Sequence, residues 1–342
     1  MIELKGLSVE ELEQFAISIG EKAFRGRQIF SFLAAGKSIE EMTSLSLPLR
    51  TKLREMADDT VAEIERKQVS ASDGTIKYLY RFADGELVES VLLRYKHGNS
   101  ICISTQAGCR MGCSFCASTI NGFRRNLTAA EILEQVIRTQ YDSGQRISNI
   151  VLMGIGEPLD NFDNVIKFLH LVNDERGMNI GMRHISLSTC GLVDRIYDLA
   201  ELGLQVTLSV SLHATNQKTR EAIMPIAKKY DFETLLKACA DYEQATKRRI
   251  SFEYSMIDGV NDSSEAAHEL GSALKGTLAH VNLIPLNHVD EKSYRKSKRQ
   301  NIENFKSILE KYKLSVTVRR SLGNDIEASC GQLRAKSMKE KK

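Results

Sequence analysis

Three cysteines packed into one short loop, Cys109-Arg-Met-Gly-Cys113-Ser-Phe-Cys116, constrain this chain more than any other stretch. At this C-x3-C-x2-C spacing each thiolate can hold one iron of a cubane iron–sulfur cluster and leave the fourth iron open. Electron-transfer clusters are usually closed by four cysteines, so an open iron points to a cluster that binds and reduces something. A zinc knuckle is the plain alternative, but zinc sites normally take four ligands in paired spacings. Neither a second C-x2-C nor a His-x3-5-His follows here. The chain has seven cysteines, an odd number with three in one loop, which argues against a disulfide framework. Its first residues lack the basic and then apolar character of a signal peptide, and no apolar run approaches the length of a membrane span. The expectation is a reduced, cytoplasmic protein.

With 342 residues, 42% of them hydrophobic, the chain can bury a sizeable core. Residues 1 to about 60 read as a small helical domain. Ser8-Val-Glu-Glu11 and Ser38-Ile-Glu-Glu41 are capping-box patterns, and Phe24–Leu33 places Ile29, Phe32 and Leu33 on one helical face beside Arg25 and Arg27. From 61 to 97 the period changes to two, with Asp73-Gly74 and Asp84-Gly85 as hairpin turns. This predicts a short antiparallel β extension. In it, Leu87-Val-Glu89-Ser-Val91 alternates so that Glu89 would face solvent.

From 98 to 325 strands and helices alternate, with strands near 100–105, 148–153, 184–189, 205–212, 250–256 and 280–285 and a seventh near 314–320. Thr128-Ala-Ala-Glu131 is a third capping box. Six β/α units in sequence predict an α/β fold with parallel strands and right-handed crossovers, a partial barrel or an open sheet. Residues 326–342 form a tail. In such folds chemistry gathers at the C-terminal ends of the strands. The cysteine loop, Gly154-Ile-Gly156-Glu157-Pro158, Ser188-Thr-Cys190-Gly191, Ser211-Leu212-His213 and Pro285-Leu-Asn287 all fall there.

The net charge of +3 is too small to define a partner. Its distribution says more: Lys292, Arg295, Lys296, Lys298 and Arg299 crowd one segment, and Lys336, Lys339, Lys341 and Lys342 end the chain. Such runs suit phosphate neutralisation, though each is equally readable as a solvated loop or frayed tail.

On these residues the chain resembles the radical S-adenosylmethionine (SAM) superfamily, and within it the RlmN/Cfr family. The narrower resemblance rests on Gln106–Thr119, Met153–Leu159, Ser211–His213, Asn282–Pro285 and Asp325-Ile-Glu-Ala-Ser-Cys330-Gly-Gln-Leu333, and covers essentially the whole chain. It implies a partial (β/α)6 radical-SAM barrel, one [4Fe-4S] cluster on Cys109, Cys113 and Cys116, and SAM held by Gly156, Glu157, Ser188, Ser211, Leu212, His213 and Asn287. It also implies methylation of adenine C2 in 23S rRNA and in tRNA, with a low-potential donor such as flavodoxin or ferredoxin. Arg110-Met111, Ala117-Ser118-Thr119 and Glu157-Pro158-Leu159 resemble the C2-methylating branch, with C8 methylation of the rRNA adenine as the alternative.

Adenine C2 is electron-poor and cannot attack a sulfonium methyl, whereas a thiolate can. The resemblance makes Cys330 the methyl-accepting cysteine, Glu89 the acceptor of the C2 proton and Cys102 the resolving cysteine that closes a disulfide with Cys330. Taken alone, Cys102, Cys330 and His213 read as core residues, as free cysteines and satisfied histidines commonly are. Cys190 and Cys239 match no motif and read as structural. Other readings are activation of a glycyl-radical enzyme, which needs neither Cys330 nor the N-terminal domain, and a non-catalytic metal-stapled RNA-binding protein. Nothing demands more than a monomer.

Overall fold

The structure, a computed structural model, describes residues 2–59, 61–96, 98–287, 289, 291–320, 322–326 and 328. Helices α1 (Val9–Ser18), α2 (Phe24–Ala34) and α3 (Leu47–Met56) form the N-terminal lobe. Ser8 caps α1 reciprocally with Glu11, as its spacing predicts. Ser38 donates its N–H to Glu41 but heads only a single 3-10 turn. On α2 the core is filled by Ile29, Phe30 and Leu33. Phe32, expected on that face, is half-buried at its edge, where the Lys37 ammonium lies over the ring.

Ten strands then form one sheet: β1 (Ala62–Val69), β2 (Ile76–Phe82), β3 (Leu87–Tyr95), β4 (Gly98–Cys102), β5 (Ile147–Leu152), β6 (Ile185–Thr189), β7 (Thr207–Ser211), β8 (Ser251–Met256), β9 (His280–Pro285) and β10 (Ser315–Val318). Their spatial order is their chain order. Neighbours from β1 to β4 pair antiparallel, and neighbours from β4 to β10 pair parallel. The antiparallel extension and the β/α region thus share one hydrogen-bonded sheet, joined where β4 pairs β3 on one side and β5 on the other.

The parallel strands are linked by α4 (Ala129–Ser143), α5 (Phe162–Asn173), α6 (Val193–Glu201), α7 (Gln217–Ile223) with α8 (Phe232–Thr246), α9 (Ser264–Leu274) and α10 (Arg299–Lys311). Parallel pairing requires such crossovers. All but α7, which buries Arg220 and Ile223 against the cysteine loop, pack an apolar face on the sheet, and the main core runs through lobe and sheet as one cluster from Leu4 to Leu314.

Helix α4 begins at the third capping box, Thr128 with Glu131. It buries four polar residues with satisfied partners; Thr139 shares a 2.7 Å bond with the Tyr80 hydroxyl. Glu131 takes two bonds from Arg125, Gln135 ties Ser90 to Ser104, and Glu134 pairs with Lys5 at 2.7 Å. Lys5 and Glu134 are both buried, so this pair fastens the N-terminal lobe to the barrel. Removing one partner of a buried pair strands the other charge, a loss of about 3–5 kcal/mol. Glu134→Ala should therefore lower stability by that order in urea denaturation. A loss under about 1 kcal/mol, the level of surface pairs, would show that the pair does not couple lobe and barrel.

Candidate active site

The loop after β4 carries the three cysteines to the C-terminal rim. Gln106 holds its entrance: the side-chain amide donates to Asn126 and Asp160, and its oxygen accepts the Glu157 N–H at 2.9 Å. Gly156 lies against this side chain with φ +108°, and a Cβ there would come within 2.6 Å of Gln106 Cβ. Only glycine combines that conformation with so close an approach. Arg110 lies over the Phe123 ring and pairs with Asp160 at 2.9 Å, which braces the loop from outside.

One pocket of about 250 Å³ has Cys109, Cys113 and Cys116 in its wall together with Gly156, Glu157, Ser188, Ser211, His213 and Asn287. Leu212 does not reach it; its side chain is fully buried in the core, and its N–H donates to the Glu253 carbonyl. Cys190, expected to be structural, also lines the pocket, as do Glu253 and Arg319, which sequence reasoning missed. The signal for Glu253 was a lone acid inside the apolar strand Ser251–Met256. Cys239 is core.

Charge in the pocket is set by burial. Glu157 accepts the N–H groups of Cys190 (2.7 Å) and Leu159 (3.1 Å), yet burial raises its carboxyl above the ordinary range. Burial likewise raises Glu253, whose oxygens take bonds from Ser251 and Asn282. The Cys109 thiol is pushed up to about 12, and Cys113 moves further in the same direction. The bare thiols are therefore protonated, and loading a metal group must displace those protons.

The donor set fits a cubane cluster: three thiols on one loop face one cavity, and Glu157 and His213 are already engaged with backbone N–H groups. Among the described residues no three His, Cys, Asp or Glu side chains gather closely enough for a single metal ion. A cubane makes no such demand, because each cysteine binds a different iron.

His213 is held rigidly. Its Nδ1 accepts the Ser255 N–H at 2.9 Å, its carbonyl accepts from Asn261, and its ring meets Phe115 edge-on at 4.9 Å. Burial, with Arg220 adding to it, pulls its pKa to about 3.

Glu89 corrects the alternation argument: it is 3% exposed. Strand β3 is covered on both faces, so alternation separates two interiors. Val88 and Leu92 join the main core, while Glu89 shares the opposite face with Val91. On that face Lys77 lies 3.5 Å from the Glu89 carboxylate, both groups buried. Val91 pairs directly with Cys102 on β4, so both point to the same side. Ile101 and Ile103 face the core, and Cys102 forms a separate apolar cluster with Val91 and Leu93, against which Met153, Leu322 and Ala328 pack. The chain approaching Ala328 is clamped to the β1–β2 hairpin: Asp325 accepts from Ser70 and Ala71, and Asp73 accepts the Gly323 N–H at 2.7 Å. Cys330 lies outside the described residues.

An open parallel sheet with a three-cysteine loop and a Gly-Glu turn meeting in one rim pocket defines a radical SAM protein. A family profile described as "Radical SAM superfamily" matches residues 103–271. A second, "Ribosomal RNA large subunit methyltransferase N-terminal domain", matches residues 2–58. The chain is 51% identical over 338 residues to a "Probable dual-specificity RNA methyltransferase RlmN" of Alkaliphilus oremlandii, covering 98% of each chain. It is 52% identical to the Clostridium botulinum (strain Eklund 17B) protein of that name, covering 97% of this chain and 96% of that one. A solved "radical SAM methyltransferase from Sphaerobacter thermophilus" superposes with TM-score 0.93 at 40% identity, over 97% of this chain and 99% of that one. The chain belongs to the RlmN family.

Because the folded pKa of His213 lies below the ordinary 6.5, the unfolded chain takes up a proton between about 3 and 6.5 that the folded chain refuses. The stability this neutral ring contributes is complete above about 6.5 and is lost as pH falls through that window. His213 has φ +54°, and Asn tolerates that conformation. Wild type should therefore lose stability more steeply than His213→Asn on acidification to pH 4, by up to about 1.4 kcal/mol per pH unit. Parallel urea-denaturation profiles would refute this account.

Proposed function

We propose that this chain is an RNA methyltransferase that methylates C2 of an adenine in 23S rRNA and in tRNA, with SAM as both methyl donor and radical source. The observation that carries the reading is the single pocket that gathers the three loop thiols with six of the seven residues matched to SAM binding, bordered by the buried face that holds Glu89 and Cys102.

Cys109, Cys113 and Cys116 would hold a [4Fe-4S] cluster, which supplies an electron that cleaves a bound SAM and so provides a 5′-deoxyadenosyl radical. The chain's own residues do the rest. Cys330 takes a methyl group from one SAM by displacement, and a hydrogen atom of that methyl passes to the 5′-deoxyadenosyl radical, which leaves a carbon radical able to add to the ring. Ala328, two residues before Cys330 in the sequence, packs against the apolar cluster that contains Cys102. Glu89 takes the C2 proton, and Lys77 gives this buried carboxylate the opposite charge it needs. The adduct gives back the one electron spent on cleaving SAM, the Cys102 thiolate attacks the Cys330 sulfur to form a disulfide, and the released methylene carbon takes a proton to become the methyl of the freed base.

The RNA would meet the basic segment 292–299. Tyr294 fastens that segment to the cluster loop through a 2.9 Å bond to Ser114, and Lys296 bridges Ile257. Arg295, Lys296 and Lys298 remain exposed beside the pocket mouth. We propose that the protein acts as a cytoplasmic monomer, reduced by a flavodoxin or ferredoxin. No helix among the described residues is long and apolar enough to cross a membrane.

Anaerobic reconstitution followed by SAM, reductant and an rRNA fragment or tRNA tests the reaction, with the methylated carbon mapped by mass spectrometry and NMR. Product at C2 is expected; product at C8, or none with an intact cluster, would overturn the reading. Cys102→Ala should accumulate a covalent protein–RNA adduct, and clean release of methylated RNA by that variant would exclude the disulfide step. Replacing Arg295, Lys296 and Lys298 together by Gln should weaken RNA binding and flatten its dependence on log salt by up to about 0.9 per lost phosphate contact. An unchanged slope in fluorescence anisotropy would place the RNA elsewhere.

A further inference from the structure

Arg220 on α7 is fully buried, directly behind the cysteine loop. Its Nη2 donates to the carbonyls of Cys190 (2.7 Å) and Ser211 (3.4 Å). Among the described residues neither Nε nor Nη1 finds an acceptor. One turn further on, the Ile223 carbonyl accepts both the N–H (2.9 Å) and the hydroxyl (3.2 Å) of Ser114, which lies between Cys113 and Cys116. Helix α7 is thereby bolted to the loop.

The space is shaped for a guanidinium. Gly191 has φ +100°, and a Cβ there would come within 3.2 Å of Arg220 Nη2 and 2.9 Å of Leu235. The ionisable groups nearest in charge are the thiols of Cys190, Cys113 and Cys239 and the ring of His213. Burial pulls Arg220 down, and the thiols oppose it. A guanidinium nonetheless stays protonated in proteins, and a buried charge without an anion is costly. Among the described residues this guanidinium has no anionic partner, which leaves a place for a negatively charged group that the chain would bind.

We propose that Arg220 is the counter-charge of the cluster, a fixed buried cation that stabilises its reduced, more negative state and so raises its reduction potential. This rests on the reading that Cys109, Cys113 and Cys116 hold a [4Fe-4S] cluster. Reduction adds one electron and no proton, so the cluster gains one negative charge. Net charge and surroundings are what set such potentials, and a buried cation is poorly screened by salt. Arg220 does not line the pocket and acts as a positioning residue.

The test compares reconstituted wild type with Arg220→Met, which keeps the long stem but removes the charge, and Arg220→Lys, which keeps the charge. Iron and sulfide content, an EPR-monitored potentiometric titration with dithionite, and melting of each protein without cluster are measured. Wild type and Arg220→Lys should titrate together and Arg220→Met at more negative potential. Cluster-free Arg220→Met should still fold, because the bonds it loses to the Cys190 and Ser211 carbonyls are offset in part by removal of a stranded buried charge. Loss of iron from folded Arg220→Met but not from Arg220→Lys would equally support the proposal. Equal midpoints in all three proteins overturn it, as does Arg220→Lys titrating with Arg220→Met. So does an Arg220→Met that cannot fold without cluster, because the arginine would then be holding structure. A wild type that takes up no iron would instead remove the cluster reading, and this inference with it.

Discussion

A relay of buried side-chain bonds to main chain holds the rim together. The Gln106 oxygen accepts the Glu157 N–H, the Glu157 carboxylate accepts the Cys190 N–H, and the Cys190 carbonyl accepts from Arg220, which also reaches the Ser211 carbonyl. The first two bonds step from the loop after β4 to those after β5 and β6, and Arg220 on α7 joins the end of β6 to the end of β7. Parallel strands give no hairpin to fix their C-terminal ends, so loops there drift unless tied. Single bonds of this kind contribute only about 0.5–1.5 kcal/mol net, but a buried group left unpaired costs about 1–3 kcal/mol. The series behaves as one brace, and the pocket keeps its shape because no link can be dropped cheaply.

The same burial that makes the brace stiff keeps the empty pocket low in charge. The Cys109 and Cys113 thiols and the carboxyls of Glu157 and Glu253 are all shifted toward their neutral forms, and so is the His213 ring. Whatever enters therefore meets few competing ions. The fixed cations at its edges, Arg220 behind and Arg319 in the wall, set the sign of the field.

What could be read from sequence was local. Capping boxes at Ser8 and Thr128, hairpins at Asp73-Gly74 and Asp84-Gly85 and the seven parallel strands depend on neighbours in the chain, and they lie where the patterns put them. Glu89 was misread because alternation reports two faces but not what covers each; here both are interior. Cys190, Glu253 and Arg319 carried no motif, and their place in the pocket follows from strand register and from the seventh parallel strand closing over the rim. Arg220 was invisible for a further reason: a cation on a short helix usually points outward, and only the tertiary contacts of α7 turn it in. Phe30 displaced Phe32 by the same kind of nonlocal choice.

The core cluster does not stop at the boundary of the N-terminal lobe. Leu12, Ile29 and Leu53 belong to the same contact network as Val136, Phe168 and Leu208, and Lys5 reaches a carboxylate on the first crossover helix. Lobe and barrel are thus one cooperative unit, with no internal seam along which either could open first. Partial states in which the lobe alone detaches from the sheet are correspondingly scarce, so loss of the lobe and loss of the fold that carries the pocket should coincide.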